Sequence, residues 1–390
     1  MELNQNLKKI KPSGIRKLFD LGQNRKDIIS FGIGEPDFIT PVHVREAAKK
    51  AIDEGYTHYT PNAGFFDLRE AVAEKVRNFN HIPVKPEEVM ITAGGTQALF
   101  SVFYVLLNPG DELIVPDPGF LIYGSQVILV GGNPVYLPIR EKNHFQIDPD
   151  ELKDLLTPRT KAILLNSPSN PTGIVMNEKI LKEIARIAID RDLFIISDEL
   201  YEDILFDQRE HISIASLPEM KERTLSIFGF SKSYAMTGWR LAYVACPEYL
   251  IHAMIKVQQN TAVCPNSVTQ RAALYGLQHP LETKRSIDEM RKAYQKRRDL
   301  IMEEFSKIDS FACVPPEGAF YAFPNISKTG QSSEELSTFL LEKCGVVTVP
   351  GNAFGQYGEG YLRFSFATSL EMIQRGMEKI RESLKNISSY

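Results

Sequence analysis

Short apolar runs rich in valine and isoleucine alternate along the chain with longer segments whose apolar residues recur at helical spacing. The run EVMITAGG precedes TQALFSVFYVLL, and TKAILLNSPSNPTG precedes NEKILKEIARIAID. In RDLFIISDELY, residues 194–196 are apolar without alternation, which is typical of a strand that helices cover on both faces. This order of segments predicts an α/β fold with a mostly parallel sheet.

The pattern changes near residue 285, where the long charged helical segment RSIDEMRKAYQKRRDLIMEEFSKI begins. Strand and helix fragments follow it up to the last residue. A chain of 390 residues also exceeds what one hydrophobic core usually covers. We therefore expect a large domain of residues 46–284 and a smaller α/β domain that combines residues 1–45 with residues 285–390.

Composition narrows the possible partners. Lysine and arginine number 45 against 49 aspartate and glutamate, a formal net charge of −4 without a long basic run. We expect neither a nucleic-acid nor a membrane partner, since no segment reaches the roughly 18 apolar residues of a membrane span. The amino terminus has no apolar signal region, so a cytoplasmic location is expected. Four widely separated cysteines show no metal-site spacing, and we expect them to be reduced and buried, with no metal bound.

Four polar clusters follow apolar runs, where the chemistry of parallel sheets gathers. A Gly-Gly-Thr turn that leads into a helix suits a phosphate, although such turns are common without one. No P-loop motif occurs, and the glycines of GIGEPD lack the third glycine of a dinucleotide fingerprint, so nicotinamide binding is disfavoured. The clusters are residues 94–97, 166–173, 198–201 and 231–240.

Three charged residues of these clusters have both structural and chemical interpretations. Asp198 follows a buried strand and needs a cationic partner, which a cap or a salt bridge would also supply. Lys232 follows LSIFGF, and desolvation there lowers the pKa of an amine and makes it a candidate Schiff-base former. Arg240 lies eight residues further on and could clamp a phosphate or form a surface ion pair. Each signal is weak alone.

Pyridoxal 5'-phosphate is one ligand that would use all four clusters. A lysine holds its aldehyde, and a carboxylate pairs with its protonated ring nitrogen. Tyrosine and asparagine hold its phenolic oxygen, while a helix end and an arginine hold its phosphate. The combination predicts an enzyme that depends on this cofactor.

The ordered motifs resemble those of fold-type I aminotransferases of the aspartate aminotransferase family, class I/II, in the prokaryotic aspartate, aromatic and broad-specificity subgroup. The resemblance implies a large domain with a mostly parallel seven-stranded sheet flanked by helices, and a smaller α/β domain. It extends over nearly the whole chain. The motifs are GIGEPDFITP, YTPNAG, GGTQALF, NSPSNPTG, SDELYEDI, SKSYAMTGWR and YLRFSFATS.

By this resemblance, the catalytic residues would be Lys232, Asp198 and Tyr201. Lys232 would hold the cofactor aldehyde and then act as general base, and Asp198 would pair with the ring nitrogen. Tyr201 and Asn170 would bind the phenolic oxygen of the cofactor. Phe120 would stack on the cofactor ring, for which core packing is the alternative.

The resemblance also implies where the two anionic groups bind. Arg363 would bind the substrate α-carboxylate together with Asn170 and the backbone at Gly34. Tyr59 would reach the cofactor phosphate from the neighbouring subunit, which implies a homodimer with shared active sites. The remaining phosphate contacts would come from Gly95, Thr96, Gln97, Ser231 and Arg240.

Two positions depart from the pattern of the family. Some relatives have a lysine at the position of Thr96 that helps to bind the distal carboxylate of acidic substrates, and Gly229 stands where a serine is frequent. The first departure leaves room for aromatic or apolar side chains. Lys11, Arg16 and Arg25 are the candidates for holding a distal carboxylate.

We therefore expect a ping-pong aminotransferase that moves an amino group from an aromatic, acidic or broad range of L-amino acids to a 2-oxo acid such as 2-oxoglutarate. A C–S β-lyase on the same scaffold stays open, because motifs do not determine reaction choice. A cofactor-binding regulator and a degenerate structural homologue are the less favoured alternatives.

Overall fold

A computed structural model describes residues 4–10 and 28–387 of the chain, with side chains up to residue 385. Strands in this part of the chain are short and lie in three sheets. In chain order they are β1 (Ile29–Ser30), β2 (Val89–Thr92), β3 (Glu112–Asp117), β4 (Asn133–Pro138), β5 (Thr160–Asn166), β6 (Phe194–Asp198), β7 (Thr224–Gly229), β8 (Ala242–Ala245), β9 (Tyr321–Ala322), β10 (Val346–Val347), β11 (Val349–Pro350) and β12 (Leu362–Ser365).

The main sheet has seven strands in the order β2-β8-β7-β6-β5-β3-β4. Strand β8 is antiparallel to both of its neighbours, and the other neighbouring pairs are parallel. The predicted α/β fold with a mostly parallel seven-stranded sheet is therefore confirmed.

Helices cover the main sheet and build most of the remaining described chain. They are α1 (Gln5–Lys8), α2 (Val42–Asp53), α3 (Phe66–Phe79), α4 (Gly95–Leu106), α5 (Ile122–Leu129), α6 (Pro149–Leu155), α7 (Glu178–Asp190), α8 (Glu248–Thr261), α9 (Ser267–Gln278), α10 (Pro280–Ser306), α11 (Ser333–Phe339) and α12 (Leu370–Ile387), with a π-helical turn at Leu340–Cys344. Shorter 3₁₀ turns occupy Pro86–Glu88, Glu141–Asn143, Ile214–Ser216, Lys221–Arg223, Ser327–Thr329, Gly351–Phe354 and Gln356–Gly358. Among the described helices, none combines the length and the hydropathy of a membrane span.

Helix α7 illustrates how sequence determines an element here. Its N-cap, Asn177, accepts a hydrogen bond from the Ile180 N–H at 2.9 Å, which satisfies a backbone donor that the helix itself leaves free. Leu181, Ile184 and Ala188 recur at spacings of three and four residues and are buried. The apolar face packs on the sheet because this spacing places all three side chains on one side of the helix.

Both faces of the main sheet are buried, which explains the apolar runs without alternation. In β2, Val89 and Ile91 pack into one hydrophobic cluster, and Met90 between them packs into another. Successive side chains of a strand point to opposite faces. An apolar residue is therefore needed at every position.

The carboxy-terminal region builds a separate core around small sheets. Strands β11, β12 and β9 form an antiparallel sheet, and β1 pairs with β10, so that Ile29 lies opposite Val346. Phe31, Tyr294 and Phe364 belong to the hydrophobic cluster there. Helix α10 runs across residue 284, and the division into domains at this position stays a prediction.

The four cysteines are free thiols. Cys246 and Cys344 are buried as expected, whereas Cys264 and Cys313 are only partly buried. The expectation of burial was therefore wrong for these two.

Candidate active site

A cavity of about 440 Å³ opens beyond the carboxyl ends of β5, β6 and β7, next to the start of α4. Strand register brings Asn166 of β5 beside Asp198 of β6, so two of the polar clusters meet directly. Most residues predicted from the sequence line this cavity. They are Gly34, Gly95, Thr96, Phe120, Asn170, Asp198, Tyr201, Ser231, Lys232, Arg240 and Arg363.

Lys232 lies three residues after the end of β7 and points its amine into the cavity. The Nζ amine donates a hydrogen bond to the Gly34 carbonyl at 2.6 Å and lies 5.5 Å from the centre of the Tyr201 ring. Burial lowers the pKa of Lys232 to about 8, while the carboxylate of Glu35 opposes this shift. A larger fraction of the amine is therefore neutral near physiological pH than for an exposed lysine, as a nucleophile or a base requires.

Asp198 ends β6 and is only 3% exposed. Its Oδ2 accepts a hydrogen bond from the Tyr123 hydroxyl at 2.7 Å, and its Oδ1 accepts one from the Leu200 N–H at 3.3 Å. Burial raises the pKa of Asp198 to about 6, although the bond from Tyr123 opposes the rise. Among the described residues, Asp198 has no hydrogen-bonded cation, so it offers its charge to a ligand.

Arg363 on β12 reaches the cavity from the small sheet. Its Nη2 donates to the Gly32 carbonyl at 2.6 Å and its Nη1 to Asn170 Oδ1 at 3.1 Å, while the buried Nε has no partner. The guanidinium is 3% exposed and makes no ion pair with any described residue. A buried cation that has no counter-ion is suited to a carboxylate ligand.

Two tyrosine hydroxyls lie together on one side of the cavity. The hydroxyls of Tyr201 and Tyr321 lie 2.8 Å apart, and Tyr321 also lies under the Arg363 guanidinium at 4.7 Å. Burial raises the pKa of Tyr201, so the hydroxyl keeps its proton and can donate a hydrogen bond.

The start of α4 and Arg240 form the opposite end of the cavity. Gly94 caps the helix with φ 85°, a conformation that favours glycine, and a Cβ there would run into the Arg240 guanidinium. Arg240 Nη1 donates to the Thr237 carbonyl at 2.8 Å and makes no ion pair with a described residue. The helix end and the guanidinium together make a positive surface next to Ser231, which is buried.

Gly229 is explained by packing. A Cβ at this position would lie 2.7 Å from the Leu200 side chain and 3.1 Å from the Ala242 side chain. A serine there would require these neighbours to shift.

Two predicted residues do not line the cavity. The Gln97 side chain accepts from the Ala93 N–H at 3.0 Å and donates to Ser101 at 3.2 Å, so it turns back along its own helix. Tyr59 is 86% exposed. The candidates Lys11, Arg16 and Arg25 lie outside the described residues.

Sequence reasoning missed Tyr123 and Tyr321. Tyr123 is buried three residues after Phe120, and the two rings meet edge to face at 5.6 Å between centroids. Tyr321 is placed by the pairing of β9 with β12 opposite Ser365. Neither tyrosine lies in one of the four polar clusters, so no sequence signal distinguishes either residue.

Comparisons with known proteins agree with this geometry. Residues 26–380 match the family model "Aminotransferase class I and II". An aspartate aminotransferase of Pyrococcus abyssi is 46% identical over 386 residues, covering 99% of both chains. An aromatic-amino-acid aminotransferase of Thermococcus litoralis is 45% identical, again over 99% of both chains.

Solved structures extend the likeness to three dimensions. The crystal structure of an aromatic aminotransferase from Pyrococcus horikoshii superimposes with a TM-score of 0.92 at 44% identity and covers 97% of this chain and 100% of that one. Sequence and structure therefore agree over nearly the full length. The chain belongs to the class I and II aminotransferase family.

Proposed function

We propose that this aminotransferase uses pyridoxal 5'-phosphate to move an amino group from an L-amino acid, of aromatic, acidic or broad type, to a 2-oxo acid such as 2-oxoglutarate in a ping-pong reaction. One observation carries the proposal. An amine with a lowered pKa (Lys232), a buried carboxylate (Asp198) and a buried guanidinium without a counter-ion (Arg363) meet at one cavity.

The residues present fit this cofactor. Arg240 and the start of α4 offer positive charge for a phosphate, and Asp198 offers a buried negative charge for a protonated ring nitrogen. The unpartnered Nε of Arg363 leaves donor capacity for a substrate carboxylate. A cavity of about 440 Å³ lies within the usual range for small-ligand sites.

When bound, the cofactor supplies an aldehyde that takes up the amino group and a ring that draws electrons away from the substrate Cα. Lys232 would hold the aldehyde carbon in the resting enzyme. Once an incoming amine frees it, Lys232 would take the proton from Cα and return it on the cofactor side. Asp198 would keep the ring nitrogen protonated, and Tyr201 with Asn170 would donate to the phenolic oxygen.

Substrate binding replaces contacts that the chain now makes with itself. Arg363 is bonded to the Gly32 carbonyl, and Lys232 is bonded to the Gly34 carbonyl. A substrate carboxylate at Arg363 offers a charged acceptor in place of a neutral one, and such bonds are roughly twice as strong. Phe120 would cover one face of the cofactor ring.

The cavity favours aromatic and apolar donors. Apolar side chains such as Ile33 and Leu200 line it, and no described lysine or arginine does so apart from Lys232 and the two arginines already assigned. An acidic donor would need a cation from another subunit or from residues outside the described part of the chain. Aromatic donors have no such requirement.

Tyr59 supports a homodimer with shared active sites. This tyrosine is 86% exposed and does not reach the cavity of its own chain. A neighbouring subunit would bury the ring and bring its hydroxyl to the cofactor phosphate. We further propose the two-domain division at residues 46 and 284, and a cytoplasmic location, which four free cysteines support.

The test is a half-reaction in which the pyridoxal form is mixed with one L-amino acid at a time, without an acceptor. Loss of the absorption band of the lysine-bound cofactor, fastest with phenylalanine, tyrosine and glutamate, supports the proposal. Conversion by aspartate alone would overturn the aromatic preference. No conversion, with pyruvate and ammonia formed from a cysteine conjugate, would mean that the enzyme is a β-lyase.

A further inference from the structure

A second, larger cavity of about 990 Å³ lies between α3, the loop that follows β6 and the start of α10. It shares no lining residue with the active-site cavity. Nothing in the proposed transamination uses it. The side chains that line this cavity indicate what it would bind.

One wall is aromatic. The ring of Phe230 lies 5.0 Å from that of Tyr234 and 5.6 Å from that of Tyr243. Tyr234 and Tyr243 line the cavity and are 9% and 3% exposed, yet neither hydroxyl has a hydrogen-bond partner among the described residues. Burial raises the pKa of both phenols, so they stay neutral. Both hydroxyls therefore open to the cavity, where a ligand or water can supply the missing partner.

Ion pairs within the protein form the floor of the cavity. Glu202 accepts bonds from Lys75 and from Asn80, the latter at 2.7 Å, and His211 is bonded to Glu199 at 2.6 Å. Glu199, Glu202 and His211 are close enough together to resemble a metal site. The ammonium of Lys75 takes the place of a metal charge there, so we do not assign a metal.

The remaining acidic side chains of the wall are unpaired. Asp203, Glu74 and Glu210 line the cavity, and none of them has an ion pair or side-chain hydrogen bond with a described residue. Asp203 is close enough to add to the rise in the pKa of Tyr234. Asp203 therefore lines the same cavity as the aromatic wall and has no ion pair with a described residue.

The basic side chains of the wall do not balance these acids. Arg209 is paired with Glu317 at 2.5 Å and Arg291 with Asp288 at 3.0 Å. Lys284 is the one lysine or arginine of the described lining that has no ion pair. Three unpaired carboxylates against one unpaired ammonium leave the wall with a negative excess.

We propose that this cavity binds an organic ammonium ion, with the Asp203 carboxylate as counter-charge and the rings of Tyr234 and Tyr243 facing the cation. Aromatic faces and a carboxylate together recognise an ammonium that carries alkyl or aryl groups. An inorganic divalent cation prefers a shell of oxygen ligands and would not use the aromatic wall.

The test measures binding of phenyltrimethylammonium to the holoenzyme by isothermal titration calorimetry. This probe has no N–H, so it cannot bond to the cofactor or enter transamination. Benzyl alcohol is the neutral comparison. We expect the cation to bind more tightly than the alcohol, and equal or tighter binding of the alcohol would overturn the proposal.

Two variants locate the site. Asp203→Asn should weaken binding of the cation by about 10-fold, because it removes the counter-charge and keeps the shape. Lys284→Gln should strengthen binding, because it removes a like charge from an exposed position. Asp309→Asn, which changes an exposed carboxylate away from the cavity, should bind like the wild type. Unchanged affinity in both cavity variants would exclude this site.

Discussion

At the scale of single residues, Lys232 has the most specific role. Lys232→Ala should fold, because the lost hydrogen bond goes to a half-exposed backbone segment at Gly34. We expect transamination to fall about 1,000-fold or more, since the variant has no amine to hold the cofactor or move the proton. Steady-state rates measure this loss, with Lys256→Ala on the exposed face of α8 as the control. Full activity in Lys232→Ala would refute the assignment.

The raised pKa of Asp198 predicts that the stability of the cofactor-free protein depends on pH. Its pKa is about 6 in the folded chain and close to 4 in an unfolded one. Between these values the folded state binds more protons than the unfolded state, so this residue makes stability fall as pH rises. The free energy of unfolding falls by about 3 kcal/mol when the pH rises from below the unfolded-state pKa to above the folded-state pKa.

Asp198→Asn removes this titration. The variant should match the wild type in free energy of unfolding near pH 4 and exceed it by about 3 kcal/mol near pH 7, measured by urea denaturation without cofactor. Its activity should fall, because an amide cannot keep a ring nitrogen protonated. A difference in stability that does not change with pH would contradict the prediction.

At the scale of elements, the start of α4 depends on one glycine. Gly94→Ala places a Cβ against the Arg240 guanidinium and leaves a non-glycine residue at φ 85°. We expect at least about a 10-fold loss of cofactor affinity and about 1–3 kcal/mol of stability. Fluorescence titration with the cofactor and urea unfolding measure the two effects.

Two other glycines are controls that distinguish the effect of backbone strain at a positive φ from the effect of displacing the Arg240 side chain. Gly110 has φ 91° with open space around it, and Gly238 has open space and no positive φ. Gly110→Ala should lose stability without losing cofactor affinity, and Gly238→Ala should change neither. An equal loss of affinity in Gly94→Ala and Gly110→Ala would mean that Arg240 is not involved.

At the scale of the whole molecule, Tyr59 predicts complementation between subunits. Tyr59→Phe and Lys232→Ala would each impair a homodimer. A heterodimer of the two, purified with two different tags, should recover about half of the wild-type activity, because one of its two sites then has both residues intact. No recovery would show that Tyr59 serves its own chain or none.

Prediction from the sequence succeeded for the α/β fold, and most of the predicted site residues line one cavity, while their roles stay predictions. Lys232, Asp198 and Arg363 each follow or lie within an apolar run that the structure makes a strand, and they line one cavity. Sequence reasoning did not anticipate that the Gln97 side chain bonds to the backbone at the start of its own helix, or that Tyr123 bonds to Asp198. Neither contact follows from local periodicity.

Hydrophobic periodicity and ordered motifs are local properties of the chain, so the alternation of strands and helices, the polar clusters at strand ends and the family could all be predicted without coordinates. Which polar groups meet depends instead on tertiary packing. Tyr123 reaches Asp198 across 75 residues, and Tyr201 reaches Tyr321 across 120. The second cavity likewise joins α3, the loop after β6 and α10. Such contacts depend on how the elements pack together. Packing brings together residues that are far apart along the chain, and no local sequence pattern predicts which of them will meet.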